Sequence, residues 1–346
     1  MKKHVWILAI AVFAVAFIAT AAPQQDSQKM GPMPWAYAGD APPNTPPTPG
    51  ATPPTPDPTP RHTPTSNLSF TIAQVRSGVG DWHPEDHGPM PDIVAHGRPP
   101  EIGRCSQCHL HNGRGRMENA PVTGLPVEYF LQTMADFKNG LRQSAEPRKG
   151  NAKRMAAMAK AMTDEETRAA AEYYASIPFP AEGWIKVVET KTVPKTKLES
   201  DALRIKLEGN ETEPLGNRIV EVPDNTEATA ELRDDHSPFT AYVPVGSLKK
   251  GEALVTTGGG GKTVQCALCH GEQLEGIGPV PPLAGRTPSY LARQLYDMQH
   301  GFRKGPWTPL MQKAVEKLTD DDIIAIVAYI TSRPAAPPLT MTSKMQ

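Results

Sequence analysis

The sequence is poor in cysteine, in aromatic residues and in net charge. It has four cysteines in 346 residues, an aromatic content of 6% and a formal net charge of −1 at pH 7. The near balance of acidic and basic residues gives no indication of nucleic-acid binding. All four cysteines fall into two short motifs, so no cysteine is left over outside them. These two motifs therefore decide what the cysteines do.

Both motifs read Cys-x-x-Cys-His, at Cys105–His109 and at Cys266–His270. Two thiols three positions apart can each bond one vinyl group of a single porphyrin, and the adjacent histidine then lies under the iron. The alternatives are a disulfide, a redox pair and a zinc site. A zinc site would need two more ligands nearby, and a redox pair needs no following histidine. The sequence therefore predicts two covalently bound c-type haems, each with its iron. The residues predicted to hold them are Cys105, Cys108, His109, Cys266, Cys269 and His270.

The N-terminus is typical of an export segment. A basic start, Met1–His4, precedes an apolar run from Val5 to Ala19 and the small-x-small pattern Ala19–Ala21. We predict a signal peptide over residues 1–21. The alternative is an uncleaved anchor that tethers the protein to the membrane, because Val5–Ala22 is close to the minimum length for spanning a bilayer. Either outcome places the bulk of the chain in the periplasm.

Residues 22–67 are predicted to form a Pro-rich linker. Thirteen prolines fall between Pro32 and Pro64, which favours extended polyproline conformations and does not supply a packed core. The segment is interpreted as a stiff spacer, with ordered structure beginning near Leu68. A disordered tail without a role is the alternative.

The remainder contains an internal repeat. Residues recur at a spacing of 161 up to Arg142 and of 156 from Met155, so the first copy has five extra residues near Glu146–Gly150. A constant spacing across several elements indicates two copies of one domain. We assign the first copy to residues 68–180, the second copy to residues 247–334 and a tail to residues 335–346. Matching pairs include Pro121 and Pro282, Gly124 and Gly285, Tyr129 and Tyr290, Arg142 and Arg303, Met155 and Met311, and Thr163 and Thr319.

Each copy has the same predicted layout. A helix at about Pro126–Asn139 or Pro288–His300 ends at a glycine. The final helix of each copy begins after a threonine, Thr163 or Thr319, with acidic residues in its first turn. Glu166 completes a capping box in the first copy. These final helices are predicted to end at about Ser176 and Ser332, before a proline.

Residues 181–246 form an acidic connector between the copies. It carries 13 acidic and 8 basic residues. Three β-rich runs stand out, Trp184–Val188, Arg218–Val222 and Phe239–Val243, with proline and glycine between them. We predict extended strands or a wrapping connector rather than a third full domain.

The repeat also selects a candidate for the sixth iron ligand. Met155 and Met311 are equivalent, and a methionine is one usual sixth ligand of an electron-transfer haem. Core packing is the more common use of methionine. Met311 competes only with Met298 in its copy, whereas Met155 competes with Met158. Histidines could replace a methionine in the first copy, namely His83, His87, His96 and His111.

Two arginines recur beside the helix-ending glycines. Arg142 and Arg303 could pair with a haem propionate or could simply be solvated, and the sequence favours neither interpretation. Tyr129 and Tyr290 are predicted core residues near haem. Trp307 occurs only in the second copy and could pack on haem.

The chain resembles the class I cytochromes c, and specifically the tandem di-haem cytochromes of the c-four and c-five-five-three type. The similarity is carried by Cys266–Gly271, Pro281–Gly285, Tyr290–Leu295, Gly301–Arg303, Met311–Ala314, Leu318–Ile323 and Ala328–Ile330. It covers the second copy well and the first more loosely, since Leu110 stands where the family often has glycine. The resemblance implies small all-α haem domains that transfer electrons in the periplasm or on its membrane face. The predicted fold class is therefore all-α, as two class I cytochrome c domains joined by an extended, partly β connector.

The predicted function is an exported di-haem electron carrier. Its donor would be a dehydrogenase or a quinol-oxidising enzyme, and its acceptor a terminal oxidase or reductase. A cytochrome subunit of a periplasmic dehydrogenase complex is one alternative. A di-haem peroxidase is another, but it needs an open iron position, and both copies have a candidate methionine. We therefore predict an electron-transfer protein rather than an enzyme.

Overall fold

The computed structural model describes residues 33–38, 57–180, 184–199 and 202–336. The predicted signal peptide, most of the predicted linker and most of the predicted tail lie outside these ranges. Within them, no helix has the length and apolar character needed to cross a membrane.

The first copy is built from six helices around an apolar core. The core gathers side chains from most of these helices, including Val94, Tyr129, Met158 and Tyr174. The helices are α1 (Ile72–Ser77), α2 (Asp92–Ala95), α3 (Ser106–His109), α4 (Val127–Lys138), α5 (Gly150–Ala161) and α6 (Asp164–Ser176), with a short 3₁₀ turn at Pro84–Asp86.

The second copy repeats the later helices of the first. Its helices are α7 (Ser247–Thr257), α8 (Ala267–His270), α9 (Pro288–Gln299), α10 (Thr308–Val315) and α11 (Asp320–Ser332). The predicted helices are thus confirmed. The capping box at Thr163 and Glu166 is present, and Thr319 with Asp322 forms a second one that the sequence analysis did not name. In both, the threonine hydroxyl and the acid satisfy backbone N–H groups that the first turn leaves unpaired.

Helices α7 and α11 cross closely in the second copy. Gly251 makes this possible, because a Cβ atom at that position would collide with the carbonyl group of Ala325. The crossing buries Leu254 and Val255 against Ile324 and Val327. This close packing holds the core of the second copy together.

The connector corrects the predicted fold class. Seven strands lie between residues 185 and 243 and form three small sheets, so the fold is mixed α/β and the all-α prediction is wrong. The strands are β1 (Ile185–Glu189), β2 (Thr192–Pro194), β3 (Thr196–Leu198), β4 (Arg204–Lys206), β5 (Thr212–Pro214), β6 (Val220–Pro223) and β7 (Phe239–Val243).

The predicted β-rich runs do form the largest sheet. Its strand order is β1-β7-β6, with β1 parallel and β6 antiparallel to β7. Ala241 and Val243 of β7 are fully buried in the core of the second copy, and Ile185 and Val187 of β1 pack against it. The sheet is therefore part of the fold of the second copy, because its apolar face is covered there.

Part of the predicted spacer is packed rather than extended. Met33, Ala36 and Tyr37 are buried in the core of the second copy. The Tyr37 hydroxyl donates to Asp297 Oδ1 at 2.7 Å, and Arg293 donates to the carbonyl oxygen of Ala36 at 2.7 Å. The expectation that this segment supplies no packed core is wrong for residues 33–38, because Met33 and Tyr37 are buried there and Trp35 is partly buried against the same core. Arg61 pairs with Phe70 in an isolated antiparallel bridge, so ordered structure includes residues before the predicted start near Leu68.

We expect Tyr37→Phe to lower the free energy of unfolding by about 1–3 kcal/mol, because the buried Asp297 carboxyl loses a hydrogen-bond donor. Urea unfolding followed by circular dichroism measures the change. Tyr242→Phe, on β7 away from this contact, is the matched control and should change stability by less than about 0.5 kcal/mol. Equal stability of Tyr37→Phe and the unmodified protein would contradict the anchoring role of residues 33–38.

Candidate haem-binding sites

Each Cys-x-x-Cys-His motif forms a single helical turn. These turns are α3 and α8, with Cys105 and Cys266 as the residues just before them. Positions three apart in a helical turn lie on one face, so the two cysteines of a motif point to the same side. Burial raises the pKa of Cys105 to about 12 and that of Cys266 to about 11, which keeps both thiols protonated at neutral pH.

The residue after each histidine turns the chain in the same way. Leu110 has φ 64° and ψ 173°, and its counterpart Gly271 has φ 87° and ψ 157°. Glycine adopts this positive φ readily, whereas leucine does so at a cost. The first copy therefore departs from the family residue at Leu110 but keeps the backbone turn that glycine provides in the second copy.

Both histidines are held by equivalent hydrogen bonds. His109 Nδ1 lies 2.8 Å from the carbonyl oxygen of Ala120, and His270 Nδ1 lies 2.9 Å from that of Pro281. A carbonyl oxygen can only accept, so Nδ1 carries the proton and donates it in each case. Burial lowers the pKa of both imidazoles. Each ring is therefore neutral and fixed in the tautomer that leaves the Nε2 lone pair for a metal.

A cavity of about 390 Å³ opens beside the first motif. Its wall is mainly apolar and comes from α4, α5 and α6 as well as from the motif itself. Lining residues include Cys105, Cys108, His109, Phe130, Met155 and Tyr174. Two thiols, a neutral imidazole and an apolar wall around one space fit a covalently attached porphyrin with its iron.

The cavity brings two candidate sixth ligands together. Met155 and Met158 lie one turn apart on α5 and both line it. Met158 is buried in the core, and Met155 is partly buried against it. The described lining contains none of the alternative histidines His83, His87, His96 and His111. The geometry thus favours a methionine, and the choice between Met155 and Met158 stays a prediction.

In the second copy the candidate methionine ligands pack against the apolar core. Met311 lies on α10 and, like Cys266 and Met298, packs against the buried cluster. His270 is 7% exposed. Met311 thus lies on α10 as Met155 lies on α5, and its role as the sixth ligand stays a prediction.

A buried arginine joins the two sites. Arg286 is 2% exposed, and its guanidinium donates to the carbonyl oxygens of Pro282, Pro121 and Thr123 at 2.8–2.9 Å. Pro121 and Pro282 each follow the residue whose carbonyl orients a histidine. Arg286 therefore connects the two histidine-holding loops. The sequence does not reveal this role of Arg286. The repeat has leucine, Leu125, at the equivalent position of the first copy, and no motif marks a contact between the loops.

Arg142 and Arg303 also meet at this junction. They pair as an isolated antiparallel bridge, and both donate to Gln294 Oε1, at 2.8 and 3.1 Å. Both are buried, so the interpretation as solvated arginines is wrong. Arg142 lines the cavity of the first site, a position from which it could meet a propionate. Trp307, by contrast, is 38% exposed.

The predicted core residue Tyr129 accepts a hydrogen bond from Arg303 at 3.0 Å. Burial alone would raise its pKa, but the positive charges of Arg303 and Arg142 outweigh burial and lower the pKa to about 8. Tyr129 and Tyr290 both line the cavity of the first site. The first cavity is thus closed partly by residues of the second copy, with Arg293, Gln294 and Asp297 beside Tyr290.

Comparisons with known proteins relate this chain to c-type cytochromes. A family model described as cytochrome c matches residues 248–334. Cytochrome c-554(548) of Halomonas halodenitrificans is 36% identical over 69 residues, which are 20% of this chain and 83% of that protein. The thiosulfate dehydrogenase electron acceptor of Thiomonas intermedia is 23% identical over 254 residues, which are 71% of this chain and 86% of that protein. The longer similarity extends well beyond the second copy.

Among solved structures, reduced cytochrome c4 from Pseudomonas stutzeri has a TM-score of 0.42 and 20% identity, with 66% of this chain and 93% of that chain covered. A thiosulfate dehydrogenase from Marichromatium purpuratum has a TM-score of 0.45 and 22% identity, with 70% of this chain and 39% of that chain covered.

Replacing Cys266 and Cys269 by alanine should remove one of two haems, because neither thioether bond to that porphyrin can form. A pyridine haemochrome assay per mole of protein measures the loss. The same change at Cys105 and Cys108 is the matched control and should remove the other haem. Unchanged haem content in either double variant would contradict the assignment.

Met311→His should lower the potential of the second haem and abolish its near-infrared methionine–iron band, because a thioether favours reduced iron more than imidazole does. Met298→Leu is the control and should keep the band. An unchanged spectrum of Met311→His would show that Met311 is not the ligand.

In the first copy, Met155→Leu should abolish the corresponding band while Met158→Leu keeps it. The reverse result would assign the ligand to Met158.

Proposed function

The chain belongs to the cytochrome c family as a tandem di-haem member that transfers electrons, and on this premise we propose that its donor is a dehydrogenase on the periplasmic side of the membrane. The single observation that carries the proposal is the similarity to a thiosulfate dehydrogenase electron acceptor over 71% of the chain. A thiosulfate dehydrogenase is therefore the proposed donor, and a terminal oxidase or reductase the proposed acceptor.

The geometry of the sites supports a carrier that performs no substrate chemistry of its own. Each haem, when bound, supplies an iron that takes up and releases one electron. His109 and His270 would each hold an iron through Nε2, in a tautomer fixed by a backbone carbonyl. Met155 and Met311 would each supply a second protein ligand to the iron, and an iron held by two protein side chains would not bind a substrate. This distinguishes the proposed carrier from a peroxidase, which needs an open position.

Charges near the first site would favour the reduced state. Arg142 lines the cavity, and Arg303 lies beside it with its guanidinium on Tyr129. A fixed positive charge in a poorly solvated region stabilises an added electron more than it would in water. These arginines would therefore raise the potential of the first haem relative to an apolar surrounding.

The contact between the copies supports electron exchange between two haems. Arg286 fixes the two histidine-holding loops against each other, and the Arg142–Arg303 bridge fixes the loops after α4 and α9. Rigid mutual placement keeps the distance and orientation of two cofactors constant. We propose that the haem domains span residues 68–180 and 247–334 and that the mature chain is exported, either freed by cleavage after Ala21 or tethered by its N-terminal segment.

Mixing the oxidised protein with a purified thiosulfate dehydrogenase and thiosulfate should reduce both haems, because the dehydrogenase releases electrons that the carrier accepts. Stopped-flow absorbance in the α-band region follows the reduction, with dithionite defining the full signal. Omission of thiosulfate is the control and should leave the protein oxidised. If dithionite reduces both haems but the dehydrogenase with thiosulfate reduces neither, the proposed donor is wrong, while the haem assignment stands on the cysteine variants.

A further inference from the structure

A dense group of imidazoles and carboxylates lies outside the lining of the first haem cavity. It forms where the N-terminal part of the first copy meets the loop before β7. We call it the His–Asp cluster, and its members are Asp81, His83, Asp86, His111, Asp234, Asp235 and His236. The electron-transfer function uses none of its side chains.

Two overlapping sets in this cluster have the composition and spacing of a metal site. The ligand atoms of His83, Asp235 and His236 lie within 4.8 Å of one another, and so do those of Asp81, His111 and Asp235. Asp235 belongs to both sets. Two imidazoles with a carboxylate form a donor set that suits divalent zinc and similar first-row transition metals.

Asp235 is the unusual member. Its side chain is 2% exposed, and neither carboxylate oxygen accepts a hydrogen bond within the described part of the chain. Among the described residues, the nearest cationic group to its carboxylate is His83 Nε2, at 3.8 Å from Oδ1. Burial raises the pKa of Asp235 to about 7. A buried carboxylate without hydrogen bonds destabilises the folded state. A cation bound at its two oxygens would remove that cost.

The surrounding carboxylates are arranged as they are around metal-binding histidines. Asp86 Oδ2 lies 2.7 Å from His236 Nε2, which leaves Nδ1 of that ring for another partner. Glu85 Oε1 lies 3.1 Å from His83 Nδ1, and His83 Nε2 faces Asp234 and Asp235. A carboxylate on one ring nitrogen orients the imidazole and makes the other nitrogen a better ligand.

The charges of the cluster also favour a divalent cation. The cluster contains four carboxylates, which lie next to its histidines. They belong to Asp81, Asp86, Asp234 and Asp235. Arg114 contributes a permanent positive charge, 3.5 Å from Asp86. The imidazoles of His83, His111 and His236 add positive charge only when protonated, as does that of His87, which lies 3.1 Å from Asp81. A doubly charged ion would balance the remaining carboxylates without requiring that protonation.

We propose that the His–Asp cluster binds one divalent transition-metal ion of the zinc class, with His83, Asp235 and His236 as protein ligands. Asp81 and His111, whose ligand atoms also lie within 4.8 Å of that of Asp235, complete the polar surroundings. The ion would join the first copy to the connector, since His83 belongs to the former and Asp235 and His236 to the latter. This inference does not rest on the proposed electron donor.

The test uses the full-length protein with both haems attached, stripped with a chelator and titrated with Zn²⁺ by isothermal calorimetry. We expect one Zn²⁺ per chain, retained on desalting and counted by mass spectrometry separately from haem iron. X-ray absorption at the zinc edge should give N/O ligands at about 2.0–2.1 Å, with imidazole scattering. Failure of the unmodified protein to retain Zn²⁺ would overturn the proposal and leave a metal-free ion-pair network.

Asp235→Asn should weaken Zn²⁺ binding about 100-fold or more, because even the loss of an outer-shell partner costs about 10–100-fold. Asp224→Asn is the matched control, since Asp224 is an exposed acid of the same connector, and it should bind Zn²⁺ as the unmodified protein does. Equal affinity of Asp235→Asn and the control would overturn the proposal.

His236→Ala is the second variant, because its side chain is 29% exposed and its removal disturbs packing less. Haem content and circular dichroism confirm that each variant is folded. If Asp235→Asn does not fold, the Zn²⁺ affinity of His236→Ala tests the proposed ligand set instead. Weakened Zn²⁺ binding supports the ligand set, and unchanged binding overturns it.

Discussion

The arrangement of the two haem sites depends on one buried guanidinium. Arg286 donates hydrogen bonds to three backbone carbonyl oxygens, and two of these carbonyls belong to the first copy. Burial lowers its pKa to about 10, so it remains charged at neutral pH, and its charge is stabilised by carbonyl dipoles rather than by a carboxylate. The ring of Phe179 lies 4.8 Å from the guanidinium carbon and adds a cation–π contact. Because Pro121 and Pro282 directly follow the residues whose carbonyls orient His109 and His270, a shift of Arg286 would reach both proposed iron ligands.

Local sequence patterns predicted the local structure well. The final helix of each copy begins after its capping threonine and ends at Ser176 or Ser332 as predicted. The β-rich runs of the connector became the strands β1, β6 and β7. These features depend on residues close together in the chain, where capping geometry and side-chain alternation leave a readable trace.

What the sequence did not predict lies in contacts between distant residues. The hydrogen bonds of Arg286 to the first copy join residues 163 and 165 positions apart, and that of Tyr37 to Asp297 spans 260 positions. The His–Asp cluster likewise gathers residues near 81–86 with residues 234–236. No periodicity or motif marks such pairs in one sequence. The all-α prediction failed for a related reason: the family resemblance covers the two copies, while the sheets belong to the connector.

The position equivalent to Arg286 in the first copy is Leu125. The second copy therefore donates hydrogen bonds from this position to the first copy, and the leucine side chain donates none in return. A duplicated domain begins as two interchangeable halves, each able to take the place of the other. Here a second half placed in both positions would bring two buried cations to one junction, and a first half in both would leave the carbonyls of Pro121 and Thr123 without their donor. The two halves are therefore not interchangeable at this junction. The two halves can now change only as a matched pair, and a grafted half from another cytochrome would have to bring its own partner with it.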